Sequence, residues 1–283
     1  MTDAARTTAT ITRLGQQGDG VAEGPLFAPR TLPGEVVSGI VSGSQLTEVR
    51  IETPSETRVQ APCRHYKSCG GCQLQHASDA FVADWKVEVV KTALRAQGLE
   101  TEFRPIHTSP SRSRRRATLT VRRTKKGAMA GFHGRASDVI TPIPDCQLLD
   151  PALIRAIPLA EELAMAGASR EAPLSVTLTT SEVGLDVMVR EGKPLDGSLR
   201  LELARIAGQN GVARLTWGDE QVLMEQPPVQ AFGPARVCPP PGSFLQATKD
   251  GEAALLSAVQ EITKGAKRLV DLFAGCGPLA LPL

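Results

Sequence analysis

Long apolar runs are missing from this 283-residue sequence. With them goes the stretch of roughly 20 hydrophobic residues that a membrane-spanning helix requires. The opening residues, MTDAARTTATITRLG, lack the apolar centre of a secretory signal, which points to the cytoplasm. No segment recurs at a fixed period, so solenoids and propellers are not expected. With 41% hydrophobic and 22% charged residues, disordered and collagen-like classes are excluded as well. The length suits about two domains, or three if one is small. Without a secretory signal, the six cysteines are expected to serve a metal or chemistry rather than disulfides.

Acidic residues are missing from one long internal stretch. Between Arg104 and Arg135 stand Arg112, Arg114, Arg115, Arg116, Arg122, Arg123, Lys125 and Lys126, with no Asp or Glu until Asp138. A merely solvated face would mix both signs. A one-sided block within a chain of net charge +2 is the footprint of a polyanion partner, and nucleic acid is the expected one. Alternation at Ala117, Leu119 and Val121, then Thr124–Gly127, then Met129 and Phe132 predicts a hairpin. Period-two geometry sends Arg114, Arg116 and Arg122 to one face of its first strand. Together with Arg123, Lys125 and Lys126 they are the candidate RNA-binding residues, placed to follow a phosphate backbone.

Residues 7–58 read as short β-branched strands between Gly, Pro and Ser, which predicts a small antiparallel barrel. Over residues 1–58 five arginines face seven acids, so charge alone gives the barrel no affinity for RNA. Ser78 caps a predicted helix with Phe81, Trp85, Val89 and Ala93 on one stripe and Gly98 as its stop. Two further strand pairs are expected in PLSVTLTTSEVGLDVMVREG and ARLTWGDEQVLMEQ. Between them and the hairpin, PALIRAIPLAEELAMAG is expected to be helical and kinked at Pro158. The prolines of RVCPPPGSFLQAT suggest a domain junction before a last helix, TKDGEAALLSAVQEITKG.

Cys63, Cys69 and Cys72 fall within PCRHYKSCGGCQLQH, three thiols in ten residues beside paired glycines. Three clustered thiolates and one distant one suit a cubane iron–sulfur cluster, whereas zinc usually takes two paired knuckles. Zinc, with His65 or His76 as alternative ligands, and plain burial remain open on the residues alone. Cys146, Cys238 and Cys276 are the candidates for a fourth thiolate. At the other end, RLVDLFAGCGPLALPL predicts a strand over Leu269–Phe273 entering a glycine turn at Gly275 and Gly277. That is the first strand and turn of a nucleotide-binding α/β sheet. Asp271 at the strand end favours S-adenosylmethionine over other nucleotides.

PCRHYKSCGGCQLQH, with Cys146 downstream and a barrel upstream, resembles the RNA uracil-C5 methyltransferase family. The closest branch is the one that carries a [4Fe–4S] cluster and modifies 23S ribosomal RNA; the transfer-RNA branch is the alternative. The resemblance implies that Cys63, Cys69, Cys72 and Cys146 hold the cluster. It implies that the barrel is an OB-like TRAM domain, and that Gln246 and Phe273 join Asp271, Gly275 and Gly277 in binding S-adenosylmethionine. Two positions depart from the family pattern, Thr248 and Pro278, each standing where Asn is usual. The implied fold class is a multidomain α/β protein: a TRAM barrel over 1–58, a central α+β iron–sulfur domain with an antiparallel sheet over 59–236, and an incomplete Rossmann-like methyltransferase domain over 237–283. In the family, a cysteine thiolate adds to uracil C6 so that C5 can attack the methyl sulfonium, and a Glu serves as base. Both lie well C-terminal to the glycine turn and are expected beyond Leu283, which leaves no catalytic residue in the sequence itself. These 283 residues are therefore expected to transfer no methyl group and to act, in practice, as an iron–sulfur (or zinc) RNA-binding chain. No protein partner is expected.

Overall fold

The computed structural model describes residues 5–283, which fall into two compact units meeting in sequence at Ile106 and His107. The first unit opens with β1 (Thr7–Leu14), β2 (Gly20–Ala22), β3 (Leu26–Ala28), β4 (Val36–Ser42) and β5 (Gln45–Thr53), closed into a barrel in the order β1-β2-β3-β5-β4. All its pairings are antiparallel except the short parallel contact of β3 with β5. Ile11, Ala22, Ala28, Val37 and Leu46 fill the interior. Gly39 has a steric reason: a Cβ there would stand 2.6 Å from Leu46 Cγ and 2.7 Å from the Thr47 carbonyl. The barrel is the one the punctuation of residues 7–58 predicts.

After an irregular loop comes α1 (Asp79–Arg95), capped by Ser78, whose hydroxyl accepts from the Phe81 amide at 3.3 Å. Its apolar stripe is real but no α1 residue is fully buried. Phe81 and Trp85 instead line an open groove of about 1200 Å³ with Leu14 and Pro33 of the barrel and with Phe103 and Ile106.

The second unit is built on β6 (Arg116–Arg123), β7 (Ala128–His133), β8 (Ile140–Pro142), α2 (Pro151–Arg155), α3 (Ile157–Gly167), β9 (Leu174–Thr180), β10 (Leu185–Arg190), α4 (Gly197–Gln209), β11 (Val212–Trp217), β12 (Glu220–Met224), β13 (Gln230–Phe232), β14 (Ala235–Val237) and α5 (Lys249–Ile262). Seven strands form one sheet in the order β12-β11-β10-β9-β6-β7-β8, and β13 and β14 pair as a separate hairpin. Ala117, Leu119 and Val121 of β6 are buried on the side covered by α3, whose Leu159, Ala160, Leu163 and Ala164 are buried in turn. Gly131 admits β8: a Cβ there would lie 2.0 Å from the Thr141 carbonyl. Helix α2 ends and α3 begins at Ala156, with Pro158 in the first turn of α3, where a missing N–H is harmless.

Two expectations are corrected. The central sheet is mixed rather than antiparallel, because α4 carries the chain from β10 back to a parallel neighbour, β11. Residues Leu269–Phe273 form no strand; they lie in turns and irregular backbone. A strand exists only through pairing, and no described strand runs beside this segment. Its apolar side chains are accordingly exposed, Phe273 fully so, at a φ of 62°. Among the described residues, no helix is long and apolar enough to cross a membrane.

Candidate functional site

The thiol loop of the first unit is tied at its neck. The Val59 amide donates to the His76 carbonyl at 2.9 Å, the Ser78 amide to the Thr57 carbonyl at 2.9 Å, and Arg58 bridges to Ala77. Inside this neck the loop is organised around one aromatic side chain. Buried Tyr66 donates its hydroxyl proton to the Gln73 carbonyl, and its oxygen lies 2.6 Å from Nδ1 of His76. With the phenolic proton committed to Gln73, the Nδ1–H of His76 is the donor in that second bond. The two rings stack with centroids 5.8 Å apart. His76 is therefore packed within the loop's core. Burial, reinforced by the nearby Arg58 guanidinium, pulls its pKa down to about 4, so the ring is neutral at neutral pH. Burial likewise raises the Tyr66 phenol.

An acid–base cluster joins this loop to the barrel. Glu35 is fully buried and accepts from the Leu32 amide at 2.8 Å, the Ser55 amide at 3.2 Å and both Nε and Nη2 of Arg58. Burial by itself would raise the Glu35 carboxyl, but those hydrogen bonds outweigh it and hold its pKa below the usual value. Arg58 also donates to the Arg30 carbonyl at 2.8 Å, and the Arg30 guanidinium lies 5.7 Å from the Tyr66 ring centre while donating to the Lys67 carbonyl.

Cys63, Cys69 and Cys72 are half-buried around this anchor, and no cysteine is in a disulfide. The Tyr66 amide donates to the Cys63 carbonyl and the Cys69 amide to the His65 carbonyl. The Gly71 N–H points at Cys69 Sγ, 3.4 Å away. In the second unit, Cys146 sits in the turn after β8, and the Leu148 N–H points at its Sγ, also at 3.4 Å. Amide donors aimed at sulfur suit a cysteine that ligates a soft metal or cluster. Among the described residues, no three Cys, His, Asp or Glu side chains already converge as a metal-holding group.

The basic block folds as the expected hairpin, β6 and β7 joined by Thr124–Gly127, where the Thr124 amide donates to the Gly127 carbonyl at 2.7 Å. Arg122, Lys125 and Lys126 are exposed at this end, and Arg123 is half-buried. The other end of the block is used internally. Arg115 is buried, pairs with Glu252 of α5 at 2.6 Å and donates through Nε to the Gln246 carbonyl at 3.1 Å. Arg116 donates to the Gly242 carbonyl at 3.1 Å. Arg114 is exposed, with its backbone bridging to Thr248 and Leu149. Thr248 in turn caps α5, its hydroxyl accepting from the Gly251 amide at 2.9 Å.

Gln246 is half-buried beside Arg115, while Asp271 is half-buried and Gly275 and Gly277 take φ of 60° and 82° in the terminal turns. The nucleophile and base expected beyond Leu283 fall outside the described residues. Leu283 itself carries no catalytic group; it is exposed, and its amide donates to the Ala280 carbonyl at 3.3 Å. A further buried ion pair went unpredicted: Arg214 holds Asp186 through both carboxylate oxygens, at 2.9 and 2.7 Å, and donates to the Pro239 carbonyl at 2.7 Å. Period-two reading of ARLTW places Arg214 and Thr216 on one face, which was the available signal.

No family model matches the chain. The chain is 39% identical over 283 residues to an uncharacterized RNA methyltransferase of Rhizobium meliloti, covering 97% of this chain and 68% of that protein. An uncharacterized RNA methyltransferase of Caulobacter vibrioides is also 39% identical, over 97% of this chain and 69% of its own length. The 23S rRNA (uracil(1939)-C(5))-methyltransferase RlmD of Shewanella woodyi is 30% identical over 99% of this chain and 68% of that protein. In fold, the chain resembles the crystal structure of Pyrococcus abyssi tRNA (uracil-54, C5)-methyltransferase in complex with S-adenosyl-L-homocysteine. The TM-score is 0.71 at 20% identity, covering 96% of this chain and 69% of that one.

Proposed function

The chain belongs to the RNA methyltransferase family, and we propose that its part in such an enzyme is to hold 23S ribosomal RNA and an iron–sulfur cluster for S-adenosylmethionine-dependent formation of 5-methyluridine. The observation that carries this reading is the thiol loop. Its three cysteines surround a Tyr66–His76 core, and amide donors reach the sulfurs of Cys69 and Cys146. Cys63, Cys69, Cys72 and Cys146 would hold a [4Fe–4S] cluster, whose role is structural because methyl transfer moves no electrons. The likeness to RlmD over 99% of the chain supports 23S rRNA as the substrate.

S-adenosylmethionine, when bound, supplies the methyl group as an electrophilic sulfonium. Gln246, Phe273, Asp271, Gly275 and Gly277 are the residues that would receive it. The Arg115 bond to the Gln246 carbonyl fixes the backbone from which the Gln246 side chain projects. Arg122, Lys125 and Lys126 neutralise phosphates and set the register of the RNA. The barrel of the first unit would act as a TRAM module that meets RNA through shape rather than charge. No residue of these 283 takes the role of the thiolate that adds to uracil C6. Cys276 lies in the terminal turns, and Cys238 lies 3.8 Å from the Arg214 guanidinium.

The test is a comparison of 23S rRNA from cells with and without the gene, digested and analysed by mass spectrometry. Loss of one 5-methyluridine from 23S rRNA is expected. Unchanged 23S rRNA together with loss of the same nucleoside from tRNA would reassign the substrate.

A further inference from the structure

One face of the central sheet is covered by α3 and α4, and the opposite face carries an ordered set of hydroxyls and cations. Directly opposite residues of an antiparallel pair share a face. The registers Arg116↔Thr179, Thr118↔Thr177 and Thr120↔Ser175 between β6 and β9, and Arg122↔Met129 between β6 and β7, place these side chains together on that open side. The Thr118 and Thr177 hydroxyls, 2.9 Å apart, lie on that shared face. Thr118 is exposed, and Thr120, Ser175 and Thr177 are half-exposed. The antiparallel strands β7, β6 and β9 keep this face in solvent and line it with polar side chains, here hydroxyls and cations. At the Arg116 end, the segment following β14 does cover it: Arg116 and Arg214 bond the Gly242 and Pro239 carbonyls, and Met188 is buried. From Thr118 to Arg122 it stays open and runs into the cationic turn carrying Lys125 and Lys126.

We propose that this strip, Thr118, Thr177, Thr120, Ser175 and Arg122, is a ribose-binding track that recognises the 2′-hydroxyls of a single-stranded RNA segment whose phosphates are held by Lys125 and Lys126. The proposal rests on the RNA-binding reading above and specifies what that surface reads. From Arg116 to Arg122, β6 advances about 20 Å, the span of a few nucleotides. A pair of mutually bonded hydroxyls uses one of its two protons internally, leaving one donor and several lone pairs facing outward. A 2′-hydroxyl, itself donor and acceptor, complements that set, and a deoxyribose offers nothing to it. Charge selects the same occupant: no acid lies anywhere in the sequence between Arg104 and Arg135. Asp186, on the covered part of the face, is neutralised by Arg214. Hydroxyls confer sugar discrimination, and the cations confer affinity common to both nucleic acids.

The test measures binding of a single-stranded oligouridine and of the oligodeoxyuridine of the same length, each across a salt series. The wild-type chain is expected to prefer the ribose strand about tenfold, the effect of one or two well-placed hydrogen bonds. The double variant Thr118→Val, Thr177→Val is expected to lose most of that preference with its salt dependence unchanged. Thr120→Ala with Ser175→Ala gives an independent readout should the valines disturb the sheet. Lys125→Ala with Lys126→Ala is expected to weaken both strands alike and to flatten the salt dependence. Full ribose preference in both hydroxyl variants overturns the track while leaving RNA binding intact. No binding of either strand by the wild-type chain overturns the RNA-binding reading and the track with it.

Discussion

Tyr66 and His76 are joined by a hydrogen bond of 2.6 Å between the phenol oxygen and Nδ1, so the segment from Tyr66 to His76, which contains Cys69 and Cys72, is closed from within by its own side chains. Few apolar residues are available there to do this work. Of the span, only Tyr66 and His76 are buried.

Tyr66→Phe keeps the ring and removes the hydroxyl, leaving the Gln73 carbonyl and His76 Nδ1 without their partner. We expect a loss of about 1–3 kcal/mol, the cost of stranding buried polar groups. Urea denaturation followed by tryptophan fluorescence, Trp85 being in the same unit, measures it. A change below a few tenths of a kcal/mol would mean that the bond contributes nothing net.

His76 has its pKa lowered to about 4 from 6.5. Above pH 6.5 the ring is neutral in both folded and unfolded chains, and the group makes no pH-dependent contribution. Between pH 6.5 and 4 the unfolded chain takes up a proton that the folded chain refuses, so stability falls as pH falls, by roughly 3 kcal/mol across the window. Glu35, whose pKa is lowered, contributes stability that is present above pH 4.5 and lost below it. Acid sensitivity in two successive windows is expected, and His76→Gln should abolish the first while leaving the second. Stability curves of the variant and the wild type that stay parallel from pH 7 to 5 would contradict the assignment.

Asp186→Ala leaves the Arg214 guanidinium buried without its carboxylate and costs about 3–5 kcal/mol. Calorimetry should show the loss in the transition of the second unit alone. Asp186→Asn, which keeps one acceptor oxygen for the guanidinium, should fall between the wild type and the alanine variant.

Cys69→Ser is expected to reduce iron content and the absorbance near 400 nm of anaerobically prepared protein, and to lower thermal stability. Cys238→Ser should change neither. Zinc in place of iron in the wild-type protein would replace the cluster with a zinc site on the same thiols.

Much of the fold was legible because its signals are local. The Gly and Pro spacing of residues 7–58, the Ser78 cap, and the alternation of Ala117, Leu119 and Val121 each specify an element from neighbouring residues. Helix α4 was not among the expected elements, although it carries the same kind of local signal: Asp196 as its cap and Leu199, Leu203 and Ile206 at helical spacing. Without that helix, the same strands read as an antiparallel sheet rather than a mixed one. Leu269–Phe273 failed for the opposite reason: its composition suits a strand, but strand formation depends on a neighbour that composition does not report. The Glu35–Arg58 and Tyr66–His76 contacts were not readable either, since they join irregular backbone across 23 and 10 residues with no periodicity to mark the pairing.

Arg115 has a mechanical consequence. It is rooted one residue before β6, yet its side chain holds the Gln246 carbonyl and the first turn of α5, while its own amide donates to Ala247. A load applied along the basic hairpin therefore arrives at residues 246–252 without passing through any flexible linker. The base of the hairpin and the start of α5 are thus one bonded structure.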